Sequence, residues 1–279
     1  VDMGSGDDYI ALMLSGTNGT PTIANANFTK LDGGSGSDTL SFGESAAFNG
    51  ELTVTIGGAS GFENIYGTSG TETIKGDANA NLLRGGRGGS DTIYGYAGND
   101  ILYGHGQDSD SASDSSYTSA KTLYGGEGDD TLYGGAGEDI LDGGTGKDTL
   151  TGGGGIDTFV IRSGDGSSDL ASTNVVEDFE DTIDYFSLDS ISYADLVIAQ
   201  GTGDNENNTY IKDSNNNYLL ALKDISSSTI SPEDFSSSST ENQTYDGNSS
   251  NNVLIGGSGN DTFNGGSGSD NIYGNAGND

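Results

Sequence analysis

An all-β chain of stacked repeats is what this sequence predicts, on three observations. A nine-residue phrase, Gly-Gly-x-Gly-x-Asp-x-(Leu/Ile/Phe)-x, recurs through most of the 279 residues and runs unbroken from Gly125 to Val160. Its eighth place keeps an apolar side chain in phase, at Leu40, Ile93, Leu102, Leu123, Leu132, Leu141, Leu150, Phe159, Leu254, Phe263 and Ile272. Glycine-rich turns separate these apolar points at the same interval. A fixed period marks each repeat as one structural unit that stacks on the next.

Each place of the phrase has a physical reason. Residues flanking place eight face the other way, which makes it a very short strand with one inward side chain. Glycines at places one, two and four are expected to let the turn adopt positive φ where side chains would clash. Such a turn points several backbone carbonyls toward one spot. Place six carries a carboxylate: Asp38, Asp91, Asp100, Asp130, Asp139, Asp148, Asp157, Asp261 and Asp270. Carbonyl and carboxylate oxygens without nitrogen or sulfur suit a hard cation, and a flexible ring of six or more suits calcium better than magnesium. One buried aliphatic residue is a small return on nine ordered ones. The formal charge of −34 makes compaction self-repulsive as well. Calcium binding therefore becomes folding energy, and the chain without calcium is expected to be largely disordered.

The phrases GGEGDDTLY, GGAGEDILD, GGTGKDTLT and GGGGIDTFV, with GGSGNDTFN and GGSGSDNIY further on, resemble the RTX (repeats-in-toxin) calcium-binding nonapeptide. The resemblance implies an all-β parallel β-roll, a β-solenoid in which two nonapeptides make one coil and several calcium ions sit between stacked turns. It also implies ligands: the place-six carboxylate and turn carbonyls, including those at places one and three. In the unbroken run these are Gly125, Glu127 and Asp130, then Gly134, Ala136 and Asp139, then Gly143, Thr145 and Asp148, then Gly152, Gly154 and Asp157. Elsewhere they are Gly33, Ser35 and Asp38, then Gly95, Ala97 and Asp100, then Gly256, Ser258 and Asp261, then Gly265, Ser267 and Asp270. Asp8 and Asp91 join them through their carboxylates.

Along the chain, residues 1–61 hold degenerate matches, with TPTIANANFTKL and GELTVTIGG alternating like strands. Residues 62–160 form the main roll, at first weakly: Glu72 and Asn81 stand at the metal place, and Gly85 is one extra residue before GRGGSDTIY, a local bulge. A polar insertion at 105–120 interrupts the run and leaves Lys121 where aspartate is due. With coils alternating edges, one edge reads Glu72, Asp91, Lys121, Asp139, Asp157 and the other Asn81, Asp100, Asp130, Asp148. Lys121 is expected to replace a metal by its charge; the alternative is that Asp108, Asp110 or Asp114 steps in. Residues 161–235 break the repeat, and VVEDF, DTIDYFSL, DLVIAQ, TYIKD, NYLLALKDI and PEDF read as strands. DTFVIRSGDG followed by VVEDFEDTIDYF resembles the segment that caps RTX blocks. A Ser/Asn-rich linker at 236–247 leads to a second roll at 248–279. The chain begins and ends within a phrase, so it is expected to be a piece of something larger.

Other constellations are weaker. His105 is the sole histidine and there is no cysteine, which excludes a usual zinc site and leaves His105 as an exposed loop residue. Asp213-Ser-Asn215-Asn-Asn217 starts like an EF-hand loop, but Tyr218 stands where glycine is needed, so a hairpin turn is expected. Tyr94 should stack below Tyr124, and Tyr103 below Tyr133, as packing ladders. Asn27–Thr29 would matter only in a glycosylating host.

Nine basic residues against 43 acidic ones argue against nucleic acid and anionic lipid, and no apolar run is long enough for a membrane span. Weak oxygen sites fill outside cells, where calcium is abundant. The RTX resemblance implies an extracellular protein, exported unfolded through a type I channel, that folds on meeting calcium. The reading is a non-catalytic calcium-binding segment of a large secreted bacterial surface protein: an adhesin, S-layer or matrix component. The alternative is the secretion and folding module of a secreted protease, polysaccharide lyase or epimerase. Calcium is the expected partner, with cell-surface polysaccharide or further copies of the chain left open.

Overall fold

The computed structural model describes residues 2–12, 14–15, 22–23, 31–43, 48–55, 59–105, 118–237 and 239–279. Nearly all regular structure is strand, joined by four single-turn 3-10 helices, and the described residues contain no α-helix. The chain divides into two compact units, Val1–Asp157 and Thr158–Asp279.

Among the described residues the first unit holds fourteen strands: β1 (Tyr9–Ala11), β2 (Leu14–Ser15), β3 (Thr22–Ile23), β4 (Thr39–Ser41), β5 (Gly50–Thr53), β6 (Asn64–Thr68), β7 (Glu72–Lys75), β8 (Leu82–Gly86), β9 (Thr92–Ala97), β10 (Ile101–Tyr103), β11 (Thr122–Glu127), β12 (Thr131–Ala136), β13 (Ile140–Thr145) and β14 (Thr149–Gly154). Apart from a small antiparallel pair, β2 with β3, these strands form two parallel sheets. One runs β1-β4-β6-β8-β10-β12-β14 and the other β5-β7-β9-β11-β13. Alternate strands thus go to opposite faces, as in a parallel β-roll with two phrases per coil. Thr131 pairs with Thr149, and Thr122 with Ile140. The core is the seam between the faces. Leu40, Ile65, Leu83, Leu102, Leu132 and Leu150 stack in register on one side, and Leu52, Ile74, Ile93, Leu123 and Leu141 on the other. All are at most 1% exposed. Place eight is therefore the core position of each phrase.

The second unit holds β15 (Thr158–Arg162), β16 (Asn174–Val176), β17 (Tyr185–Asp189), β18 (Val197–Gln200), β19 (Thr209–Lys212), β20 (Tyr218–Leu222), β21 (Phe235–Ser237), β22 (Thr244–Asp246), β23 (Val253–Ile255), β24 (Thr262–Asn264) and β25 (Asn271–Tyr273). β15, β17 and β21 pair in parallel; β16 pairs in parallel with β20, β20 antiparallel with β19, and β19 antiparallel with β18. Phe159, Phe179, Phe186 and Phe235 form its aromatic core, with Phe179 and Phe186 stacked at 4.6 Å. The last four strands repeat the roll pattern, β22 with β24 and β23 with β25. Ile272 sits at place eight there and is 47% exposed, unlike its counterparts in the first unit.

One strand expectation is corrected. PEDF is not a strand throughout: Pro232–Asp234 is a 3-10 turn, and β21 begins at Phe235. Pro232 supplies the fixed φ of a first helical position, and Ser231 and Asp234 close a reciprocal capping box. The Asp213 segment is the expected hairpin turn. It joins β19 to β20, and the Asp213 carboxylate accepts the N–H groups of Asn215 and Asn217 at 2.9 and 2.8 Å.

Candidate metal centres

Most described turns of the first roll are laced to the next by the place-six residue. The main-chain N–H at place six donates to one carboxylate oxygen of the place-six residue one coil further on. On one edge the chain of bonds runs Asp8 to Asp38 (2.8 Å), then Asn81 to Asp100 (2.7 Å), Asp100 to Asp130 (2.7 Å) and Asp130 to Asp148 (2.9 Å). On the other it runs Glu72 to Asp91 (2.8 Å), Lys121 to Asp139 (2.7 Å) and Asp139 to Asp157 (2.9 Å). The two edges carry the residues that an alternating coil assigns to them. The second roll does the same from Asn252 to Asp270 and from Asp261 to Asp279.

That ladder uses only Oδ1. The Oδ2 atoms of Asp8, Asp38, Asp100, Asp130 and Asp139 are buried and have no hydrogen-bond partner among the described residues. Buried carboxylate oxygens without partners are costly. Burial raises Asp100 to about 7, and Asp130 and Asp139 to about 6, against an ordinary 3.8. Glu72, also buried, is raised to about 8, though the Thr68 hydroxyl hydrogen-bonded to it pulls the other way.

Carbonyls meet these oxygens at place one. A Cβ added at Gly125 would lie 2.4 Å from Asp130 Oδ2 and 2.4 Å from the Gly143 carbonyl oxygen. At Gly95 the same point is 2.3 Å from Asp100 Oδ2 and 2.6 Å from the Gly125 oxygen, and at Gly134 it is 2.6 Å from both Asp139 Oδ2 and the Gly152 oxygen. Gly143 and Gly152 face Asp148 and Asp157 alike, and Gly33, Gly256 and Gly265 face Asp38, Asp261 and Asp270. The place-one glycine is thus required for space. This corrects one expectation: positive φ is confined in these turns to places two and four, as at Gly126 (118°) and Gly128 (130°), while Gly125 lies outside that region. Tyr96 takes the place-two conformation without being glycine, at φ 79°.

Place-three carbonyls contribute to the stack as well. The oxygens of Ser35, Glu127, Thr145 and Gly154 each accept the N–H of the place-four glycine one coil earlier, at 2.7–2.9 Å. A carbonyl has two lone pairs, so this leaves one for a cation. Ala97, Ala136, Ser258 and Ser267 occupy the matching place and use their N–H groups in the stack. Among the described residues no three His, Cys, Asp or Glu side chains converge. The donor set is isolated carboxylates plus carbonyls, which fits calcium rather than a nitrogen- or sulfur-seeking metal.

Several details were not anticipated. Glu63 stands at place six between Asp38 and Asn81, accepting the Asp38 N–H at 2.9 Å; the Asn64-Ile65-Tyr66-Gly67 that follows it was the available signal. Gly85, expected to be a bulge, takes place one: a Cβ there would lie 2.6 Å from Asp91 Oδ2. The extra residue lies inside the turn instead. Gly86 pairs with Thr68, Arg87 donates to the Thr68 carbonyl, and Gly88 and Gly89 abut Ser69 and Gly70. His105 is not an exposed loop residue. Its Nε2 accepts the Ala136 N–H at 2.9 Å, a bond that a turn carbonyl accepts in regular coils. Asp108, Asp110, Asp114 and Asn27–Thr29 lie outside the described residues. The tyrosine ladders form as expected, Tyr94 on Tyr124 and Tyr103 on Tyr133, each at 4.8 Å and within 7° of parallel. Their faces are turned to each other, which suits packing more than ligand stacking.

Fold and turns together define a calcium-binding β-roll. Its phrases belong to the RTX calcium-binding nonapeptide repeat family, which matches at residues 66–88, 86–109, 124–159 and 246–279. No curated protein matches the chain. Among solved structures, one that matches is the solution structure of the AlgE6R3 subunit from the Azotobacter vinelandii mannuronan C5-epimerase. It is 22% identical, with 59% of this chain and 77% of that one covered, at a TM-score of 0.23. No helix among the described residues is long and apolar enough to cross a membrane.

Proposed function

We propose that this chain is a calcium-folded structural segment of a large secreted bacterial surface protein, an adhesin, S-layer or matrix component. The observation that carries the reading is the set of buried, unpartnered Oδ2 atoms facing the carbonyl of the next turn, in a chain with a net charge of −34. The ligands are the place-six carboxylates with the place-one and place-three carbonyls of the turns named above. Such sites fill at extracellular calcium and stay empty in a cytosol, so the chain is extended during export and compact outside. Catalysis is assigned to none of its residues: the sole histidine is spent on a backbone N–H, and the regular carboxylates belong to the turn ladder. The enzyme-module alternative differs in what flanks the chain, because the roll serves either parent.

The test is far-UV circular dichroism during a calcium titration, with magnesium as control. A cooperative coil-to-β transition near millimolar calcium, absent with magnesium, is expected. A chain already β-structured in chelator at neutral pH would sink the reading.

A further inference from the structure

Lys121 stands at place six of the phrase that the polar insertion interrupts, and its side chain is fully buried. Its main-chain N–H keeps the ladder, donating to Asp139. Its ammonium reaches the other way, one coil back, into the turn that ends at Asp91. There Nζ lies 2.9 Å from Asp91 Oδ2, 2.7 Å from the Gly88 oxygen and 2.6 Å from the Gly89 oxygen. An ammonium has three hydrogens, and three oxygens receive them.

Those oxygens are the kind that face each other elsewhere in the roll: one place-six carboxylate oxygen and turn carbonyls. Asp91 Oδ2 is partnered, whereas the same atom is orphaned in Asp38, Asp100, Asp130 and Asp139. The turn is also the one that carries an extra residue, and both carbonyls on Nζ belong to its Gly88-Gly89 stretch. At Gly104, the place-one glycine of the interrupted phrase, the neighbouring side-chain atom is Lys121 Cγ, 2.8 Å from an added Cβ, where other turns present a carboxylate oxygen.

We propose that the Lys121 ammonium is a tethered cation occupying the calcium position between the Asp91 turn and the Lys121 turn, so that this layer takes no metal. The interrupted phrase is thereby anchored by a cation that cannot dissociate, and one layer of the roll closes without calcium. The proposal rests on the calcium-folding reading above.

The experiment counts calcium ions on the whole chain by native mass spectrometry at saturating calcium, with circular dichroism confirming the fold. The parent is compared with Lys121→Asp and Lys121→Met. Lys121→Asp is expected to bind one ion more than the parent, because it restores a carboxylate opposite Asp91. Lys121→Met frees Asp91 and the two carbonyls and is expected to gain the same ion at higher calcium. Folded variants that both bind the parent's number of ions overturn the proposal. Should Lys121→Asp fail to reach the parent's β signal, Lys121→Met alone decides by the same count. A parent that folds but binds no calcium would overturn the functional reading and this inference with it, whereas a calcium-loaded parent with no gain in the variants overturns this inference alone.

Discussion

Two layers on one edge of the first roll meet the same difficulty differently. Between Asp139 and Asp157, one carboxylate oxygen is tied into the N–H ladder and Asp139 Oδ2 is left buried without a partner. Between Asp91 and Lys121, an ammonium meets Asp91 Oδ2 and two turn carbonyls. The strands that leave the Asp91, Lys121 and Asp139 turns are alike: Leu123 packs over Ile93 as Leu141 packs over Leu123. What the difference teaches is that the strands do not settle the charge balance of a turn. On the proposals made above, Lys121 supplies covalently the positive charge that calcium brings to the other described turns.

The largest way to sharpen that comparison is pH, because it acts on many carboxylates at once. Asp100, Asp130 and Asp139 titrate at about 6–7 in the metal-free folded roll and at 3.8 when unfolded. The folded form therefore holds more protons in that window, and stability of the metal-free roll rises as pH falls. The contribution is complete below about pH 4 and is lost as pH climbs through 6–7. In chelator, β signal by circular dichroism should grow as pH is lowered from 8 to 4. In calcium, the folding midpoint should move to higher calcium over the same change, since protons and metal compete for the same oxygens. A metal-free signal indifferent to pH would count against burial of these carboxylates.

Next in size is a pair of substitutions that should separate the two layers. Asp91→Ala leaves a buried ammonium without its counter-charge, a loss of about 3–5 kcal/mol, and the defect should persist at saturating calcium. Asp130→Ala removes a carboxylate assigned to calcium under the proposed function, so its effect should appear as a raised calcium midpoint and shrink at excess calcium. Urea unfolding at two calcium concentrations distinguishes the outcomes; equal calcium dependence in both variants would erase the distinction drawn here.

Gly125→Ala comes third. Its Cβ would press on Asp130 Oδ2 and the Gly143 oxygen, so about 1–3 kcal/mol of overpacking is expected, read as a several-fold rise in calcium midpoint. Gly164→Ala, where nothing lies within 4 Å of the added carbon but φ is 108°, is the comparison for backbone strain without a clash. The smallest effect is expected from His105→Ala, which removes one acceptor and exposes the Ala136 N–H, at about 1 kcal/mol. Thermal melting in calcium should show it, and no change would mean that water replaces the imidazole.

The regular parts of this chain were legible because every phrase repeats the same short-range demands. An in-phase apolar residue found the core, and counting in nines placed Asp91, Asp139 and Asp157 on one edge and Asp100, Asp130 and Asp148 on the other. Counting failed where the register slipped. Four glycines crowd this turn, and only the stacking of Gly86 on Thr68, Gly88 on Ser69 and Gly89 on Gly70 shows that Gly85 is not the extra residue. Glu63 was missed although Gly58 and Gly61 precede it at places one and four, because alanine replaces the second glycine and glutamate the aspartate. His105 reads as a loop residue in one dimension, since Ala136, its partner, is 31 residues away. PEDF misled because its terminal Phe is a strand residue while Pro232 and Ser231 cap a turn.

By itself, then, the sequence determined the all-β repeat, its core positions and a chemistry of oxygen donors, because glycine, aspartate and aliphatic places act within nine residues. Tertiary structure decided how each charge is met. Which carboxylate oxygen is tied and which is left over depends on the coil above, 18 residues away for Asp139 and Asp157. The reach of Lys121 back to Asp91 spans 30. Place one must be glycine for the same reason: the atoms that exclude a Cβ belong partly to another turn. Electrostatics and close packing act through space, so they become readable only once the coils are stacked.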